Sequence, residues 1–227
     1  MNMSENLFEI LKDDLDLPKE LIKIIAEYAR NPTCDEFKEM LYKKNKKFTD
    51  LSLNGYDLSD LDMNNCKFSR CSFVETKLYY TNLSNADLSN ADLSNTDLSN
   101  TNLSNANLLN ARLSNADLSY ANLSNAKLSN TNLSNVDLSN ADLPNVDLSN
   151  VDLSYADLSY ADLSYADLSN AKLSNTNLSY AKLSYADLSN AKLSNTNLSN
   201  AYLSYAKLSN TNLSNANLDG VYGFYFY

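Results

Sequence analysis

The sequence of 227 residues contains no histidine and no tryptophan, and only three glycines, three prolines and three cysteines. Without histidine the chain lacks the usual general base, a common metal ligand and the side chain that titrates near neutrality. Cys34, Cys66 and Cys71 show no metal-ligand spacing and leave one thiol over, so a reduced, cytoplasmic protein is expected. No apolar run is long enough to span a membrane, and the charged opening MNMSENLFEILKDDLDLPKE does not read as a signal peptide. Bases are also scarce: 18 Lys plus Arg against 28 Asp plus Glu give a formal charge of -10. That excess weighs against direct binding to nucleic acid or anionic membrane. So little glycine fits a fold whose corners do not depend on glycine turns.

What the sequence does hold is a period of five. Leu occupies every fifth position from Leu78 to Leu218, 29 times without exception. Leu53, Leu58, Met63, Phe68 and Phe73 carry the register backwards, so Leu53 to Leu218 comprises 34 units. A small residue, usually Ala, Thr or Val, stands two positions before each centre. Asp, Asn or Lys stands immediately before it, Ser usually follows, and Asn or Tyr closes the unit. Five matches neither the 3.6-residue turn of a helix nor the alternation of a strand. It fits a coil in which each unit forms one wall and then turns a corner. The central residue and the small one point inward, and the other three face solvent. Cys66 and Cys71 fall at the small position and read as core residues.

Units such as Ala86-Asp87-Leu88-Ser89-Asn90 and Ala106-Asn107-Leu108 resemble the A(D/N)LXX consensus of the pentapeptide-repeat family. The resemblance implies an all-β solenoid, a right-handed quadrilateral β-helix with four units per coil and about 8.5 coils. Stacked backbone hydrogen bonds and a continuous Leu column would hold such a coil together. Residues 48–220 form this expected domain. Its near-identical units specify register weakly in the middle, so the ends must set it. Met63, Phe68 and Phe73 suggest a distinctive first core. At the other end Gly220 is expected to break the coil, Gly223 replaces the central Leu, and residues 221–227 form an aromatic tail.

Residues 1–47 carry ten acids and nine bases and lack the register. Leu7, Phe8, Ile10 and Leu11 predict one short amphipathic helix, capped at Ser4. Pro18 with Leu21, Ile24, Ile25 and Tyr28 predicts a second. Thr33 and Glu36 have capping-box spacing for a third, with Phe37, Met40 and Leu41 on its apolar face. The plain reading is a small α-helical N-terminal cap on the solenoid. Leu17-Pro18-Lys19-Glu20-Leu21 also resembles the opening of an F-box, over residues 17–29, which implies an adaptor that recruits a ubiquitin ligase.

Two surface features stand out when residues are placed modulo 20. Asp137, Asp142, Asp147, Asp152, Asp157, Asp162 and Asp167 occupy seven consecutive units, and no base lies between Lys127 and Lys172. Asp97, Asp117, Asp137 and Asp157 would stack on one wall, and Asp147, Asp167 and Asp187 on another. Residues 48–227 hold nine bases and 18 acids, a charge of -9. Some proteins of the family resemble DNA in diameter and charge and shield gyrase, which implies a DNA-mimicking inhibitor of a topoisomerase as one function. The second feature is a tyrosine strip: Tyr165, Tyr185 and Tyr205 in one column, continued by Tyr225, with Tyr202 on the same wall and Tyr160 and Tyr180 at the neighbouring corner. Clustered exposed tyrosine favours a protein interface. Family members that dimerise through their C-terminal ends make homodimerisation there the implied use.

Catalytic, cofactor-binding and metal residues are expected to be none. Serine repeats outward on a convex wall without a histidine partner, and no phosphate loop, acid pair in a cleft or metal cluster is present. The sequence therefore reads as a rigid scaffold for protein–protein interaction, self-associating at its C-terminal end, with an unnamed protein partner.

Overall fold

The structure, a computed structural model, describes residues 33–42 and 47–223. The chain divides into two compact units between Lys44 and Asn45. In the first unit, helix α1 spans Cys34–Tyr42. Its start is the reciprocal capping box that the Thr33/Glu36 spacing predicts. The Thr33 amide donates to Glu36 Oε2 at 2.6 Å, and the Glu36 amide donates to Thr33 Oγ1 at 3.4 Å. Phe37 is fully buried, while Met40 and Leu41 are half-buried. The two earlier predicted helices, the F-box-like stretch and residues 224–227 lie outside the described residues.

The second unit is a β-solenoid. Parallel bridges join residue i to residue i+20 without a break in register, from Lys47–Lys67 to Tyr202–Tyr222. One coil is therefore four pentads, and the bridging residue is always the one before the centre. The central residues from Leu53 to Leu203 are 2% exposed or less, so they form one continuous core column. Ala, Thr, Val or Cys two positions earlier is buried beside each from Cys66 to Ala201.

A complete assignment of backbone donors explains the pentad. Around Leu88, the Ala86 amide closes the corner on the Leu83 carbonyl at 3.0 Å. The Asp87 amide reaches down one coil to Cys66, the Leu88 amide reaches up to Asn107, and the Asn90 amide reaches up to Leu109. The remaining amide, on Ser89, donates to the Asp87 side chain at 3.1 Å. All five donors are bonded, as buried or half-buried backbone requires. This is why Asp or Asn precedes the centre: its oxygen does for the fifth amide what no strand neighbour does.

The fifth position of every unit turns the corner in a left-handed conformation. From Asp50 to Gly220 each has φ between 56° and 71°. The corners call for the region that glycine prefers but do not depend on glycine, in line with the composition, because asparagine supplies it with a short polar side chain that tolerates that region. Gly220 is one more such corner and does not end the coil, because the Tyr222 amide still bonds the Ala201 carbonyl at 2.9 Å. Gly223, at a central position, departs from the repeat with φ 72°, and an added Cβ there would meet the Ser204 Cα at 2.7 Å.

Most buried threonines fit the narrow interior by donating into the coil below, while Thr81 and Thr131 donate within their own coil. Thr96 Oγ1 reaches the Phe73 carbonyl at 2.7 Å and Thr176 Oγ1 reaches Leu153 at 2.9 Å. Cys71 does the same to Phe48, with Sγ to oxygen 3.1 Å, and burial pushes its thiol up to about 11. At the first coils Phe48 stacks on Phe68 at 5.4 Å and Phe68 meets Phe73 edge-on at 5.3 Å, aromatic contacts where later coils have leucine.

Among donors from Phe68 to Leu203 the inter-coil ladder is interrupted at one place. The amides of Asn125, Leu128 and Asn130 make no upward bond, and those of Asp147 and Asp152 make none downward. The neighbouring walls stay closed, with Leu123 to Asp142 at 2.8 Å and Leu133 to Asp152 at 3.1 Å. The interruption coincides with local features of the sequence. Val146 and Val151 are consecutive β-branched core residues, and Val151 lies over Thr131 in the same narrow column. Pro144 restricts the backbone opposite Asn125.

Candidate interaction surface

Because aspartate and asparagine serve the fifth amide equally, the fold does not dictate which is used. Ser124 donates to Asn122 Oδ1 at 3.0 Å as Ser139 does to Asp137 at 2.9 Å. Charge at this position is additional to structure. The seven acids from Asp137 to Asp167 lie on the outer surface, as the register requires, but they are not uniform. Lys172 reaches down to Asp152 at 3.2 Å and Lys182 to Asp162 at 3.3 Å, so two of the seven are neutralised from the coil above. Lys207 pairs in the same way with Asp187 at 3.1 Å. Asp137, Asp142, Asp147, Asp157 and Asp167 have no basic partner among the described residues. Asp142 differs again: Pro144 follows its centre and has no amide to donate, so its carboxylate is exposed and free of the usual turn bond.

The uncompensated acids concentrate on one wall. Asp97, Asp117, Asp137 and Asp157 bridge in sequence, with Lys77 below them and Asn177 above. Local bonds keep several acids ionised. Ser149 hydroxyl and amide hold Asp147 below the usual carboxylate range against some desolvation. At Asp152 and Asp162 burial alone would raise the value. The serine two residues on and the lysine above outweigh it, and both end lowered.

The tyrosine strip covers the wall next to these aspartates. Tyr160 stacks on Tyr180 with ring centroids 4.8 Å apart and planes within 1°. Tyr165 stacks on Tyr185 at 4.8 Å and 1°, and Tyr185 on Tyr205 at 4.9 Å and 13°. Between these two corner columns, Tyr202 stacks on Tyr222 at 5.0 Å and 14°. Seven exposed rings thus share one wall and its two edges. Tyr222 was not singled out from sequence, although adding 20 to Tyr202 finds it. Tyr225 lies outside the described residues.

Five of these tyrosines occupy the left-handed corner, with φ from 60° to 63°. That conformation costs an ordinary side chain roughly 1–2 kcal/mol, and asparagine is relieved of part of it. Elsewhere the same columns carry Asn140, Asn145 and Asn200, and side-chain amides bridge such corners, as Asn115 does to Asn95 at 3.3 Å. The local backbone therefore favours asparagine where this wall has tyrosine.

The last coil differs from the others. Leu208, Leu213 and Leu218 are half-buried, as are Ala206, Thr211 and Ala216, whereas the leucines beneath them are fully enclosed. Among the described residues no group of three acids or cysteines is placed to hold a metal, and no helix is long and apolar enough to cross a membrane.

A family model described as pentapeptide repeats matches residues 131–164, 156–195 and 181–220, and one described as a pentapeptide repeat region matches residues 46–123. HetL, a pentapeptide repeat protein involved in heterocyst differentiation regulation in the cyanobacterium Nostoc, is 31% identical over 82% of this chain and 95% of its own, with a TM-score of 0.45. A trypsin-treated form of QnrB1, a plasmid-mediated fluoroquinolone resistance protein, is 21% identical over 77% of this chain and 90% of its own, with a TM-score of 0.46. A pentapeptide repeat protein of the Arabidopsis thaliana thylakoid lumen is 24% identical over 58% and 68%, with a TM-score of 0.21. No curated protein matches the chain.

Proposed function

The chain belongs to the pentapeptide-repeat family, whose members fold as right-handed β-helices, and from that premise we propose that it is a non-enzymatic, cytoplasmic scaffold that self-associates at its C-terminal end. The carrying observation is the last coil, where Leu208, Leu213 and Leu218 lose the enclosure that the central leucines from Leu53 to Leu203 have. Half-exposed apolar side chains beside unpaired strand edges are a surface that a second copy can cover. Tyr205 and Tyr222 border it and extend it along one wall. In this reading the solenoid of about 8.5 coils is the rigid body, and residues 1–47 are its cap. Sedimentation equilibrium of the full chain tests it. A concentration-dependent dimer is expected, and a monomer at the highest concentration reached overturns it.

The Asp97–Asp157 wall favours a second reading, imitation of DNA toward a topoisomerase or another DNA-binding protein. Four acids stack there without a base between them. A mimic competes with DNA for its target and weakens steeply as salt rises. Retention of binding across a salt series would remove this reading and leave the scaffold. An adaptor role for the F-box-like residues 17–29 is tested by capture of a ligase component with the full chain.

A further inference from the structure

The tyrosine wall has a chemical property independent of any partner. On the solenoid, tyrosine is the one readily oxidised side chain that faces solvent. The sequence has no tryptophan, and Met63, Cys66 and Cys71 are buried. Its stacked rings are also held in place by the backbone. Each member of a pair projects from the same position of successive coils, so the spacing of the coils becomes the spacing of the rings, 4.8 to 5.0 Å. Partners therefore need no search to meet, which is the condition under which proximity accelerates a bimolecular step.

We propose that Tyr160–Tyr180, Tyr165–Tyr185–Tyr205 and Tyr202–Tyr222 are sites of oxidative cross-linking, joining successive coils through dityrosine. The oxidant is of the one-electron class, a high-valent peroxidase haem or a metal complex of equal potential. It takes one electron from each of two rings, and each phenolic proton passes to solvent. The two phenoxyl radicals join through the carbons ortho to oxygen. Each joining carbon then loses its hydrogen, and each oxygen is reprotonated. In balance, one C–C bond forms, two C–H bonds break, and two protons and two electrons leave. Even the least exposed corner rings, Tyr180 at 43% and Tyr185 at 48%, have room to tilt toward their partners. The product fastens residues 20 apart in sequence, in the direction in which the coils would otherwise slip.

Lys127, Lys172, Lys182, Lys192 and Lys207 make the outcome legible, because trypsin separates the partners. The full chain, at high dilution, is oxidised with photogenerated tris(bipyridine)ruthenium(III) and persulfate, and the monomer band is digested. Peptide 128–172 joined to 173–182 or 183–192, 183–192 joined to 193–207, and 193–207 joined to 208–227 are expected, each two hydrogens light. Tyr120 is 60% exposed and has no ring partner among the described residues, so peptide 113–127 should appear in links about tenfold less often. Links to 113–127 at equal frequency, or links only between chains, overturn the proposal. Tyr185→Asn installs the usual corner residue and should abolish links to 183–192 while keeping the 128–172 to 173–182 link at its original yield. A fall of that second link together with the first also overturns it.

Discussion

Val151 stands one coil above Thr131, two β-branched side chains at successive levels of one narrow column, and the Asp152 amide beside them makes no hydrogen bond to the Thr131 carbonyl. Thr101 stands above Thr81 in the same relation. There both hydroxyls donate to the Leu78 carbonyl, at 2.8 and 2.6 Å, and the ladder is intact. A hydroxyl at the upper position is what the seam lacks. Val151→Thr should therefore stabilise the chain by about 1 kcal/mol, the ordinary net worth of one hydrogen bond. Chemical denaturation checks it, and a lower midpoint would count against the missing-hydroxyl account.

The same seam should open before the rest. Amides of Asn125, Leu128, Asn130, Asp147 and Asp152 lack the partners that their counterparts one wall away possess. Native-state hydrogen exchange should find them the fastest of the inter-coil amides between 68 and 203. Uniform protection along the solenoid is the contrary result.

The acids before the centres have two separable jobs. In the adjacent coils Asp117, Asp137 and Asp157, asparagine keeps the turn bond and removes stacked like charge. The triple Asp→Asn variant should gain a few tenths of a kcal/mol per relieved pair. Asp137→Ala removes the acceptor and should lose about 1 kcal/mol. Equal thermal midpoints for the two variants would contradict this division.

Acid sensitivity follows from the lowered carboxylates. The Arg70 hydrogen bond at 2.7 Å, with the charge behind it, outweighs burial and holds Asp50 down; Ser189 and Lys207 do so for Asp187. Asp147, Asp152 and Asp162 are lowered too. A group depressed in the folded state stabilises it fully above its unfolded value, about 3.9 for aspartate, and the contribution fades as pH falls through the folded value. The thermal midpoint should be level from neutrality to about pH 5 and then decline, more gently in Arg70→Gln than in the parent chain.

Much of this was legible in the residues. The Leu column, the small inward position, the outward faces of Asp and Tyr and the Thr33/Glu36 capping box all follow from spacing, because the backbone repeats so strictly that position determines environment. The corner conformation was not legible from glycine counts, since asparagine and tyrosine occupy a region that composition assigns to glycine. The pairing within the aspartate run was not legible, because Lys172 and Lys182 lie outside its sequence limits and reach Asp152 and Asp162 across a coil. The seam was missed because Val151 over Thr131 is a contact between residues 20 apart, and each alone is an ordinary core residue.

The central claim is that the C-terminal tyrosines are present for contact and not for the fold. Tyr165, Tyr185 and Tyr205 replaced together by Asn separates the two, because asparagine suits the left-handed corner better. Sedimentation equilibrium and thermal unfolding should be measured on the same variant. The account predicts a dimer weakened about tenfold or more, roughly 1.4 kcal/mol, with an unfolding midpoint, read as monomer in each case, equal to or above that of the parent. An unchanged dimer, or a monomer destabilised by the replacement, would contradict it.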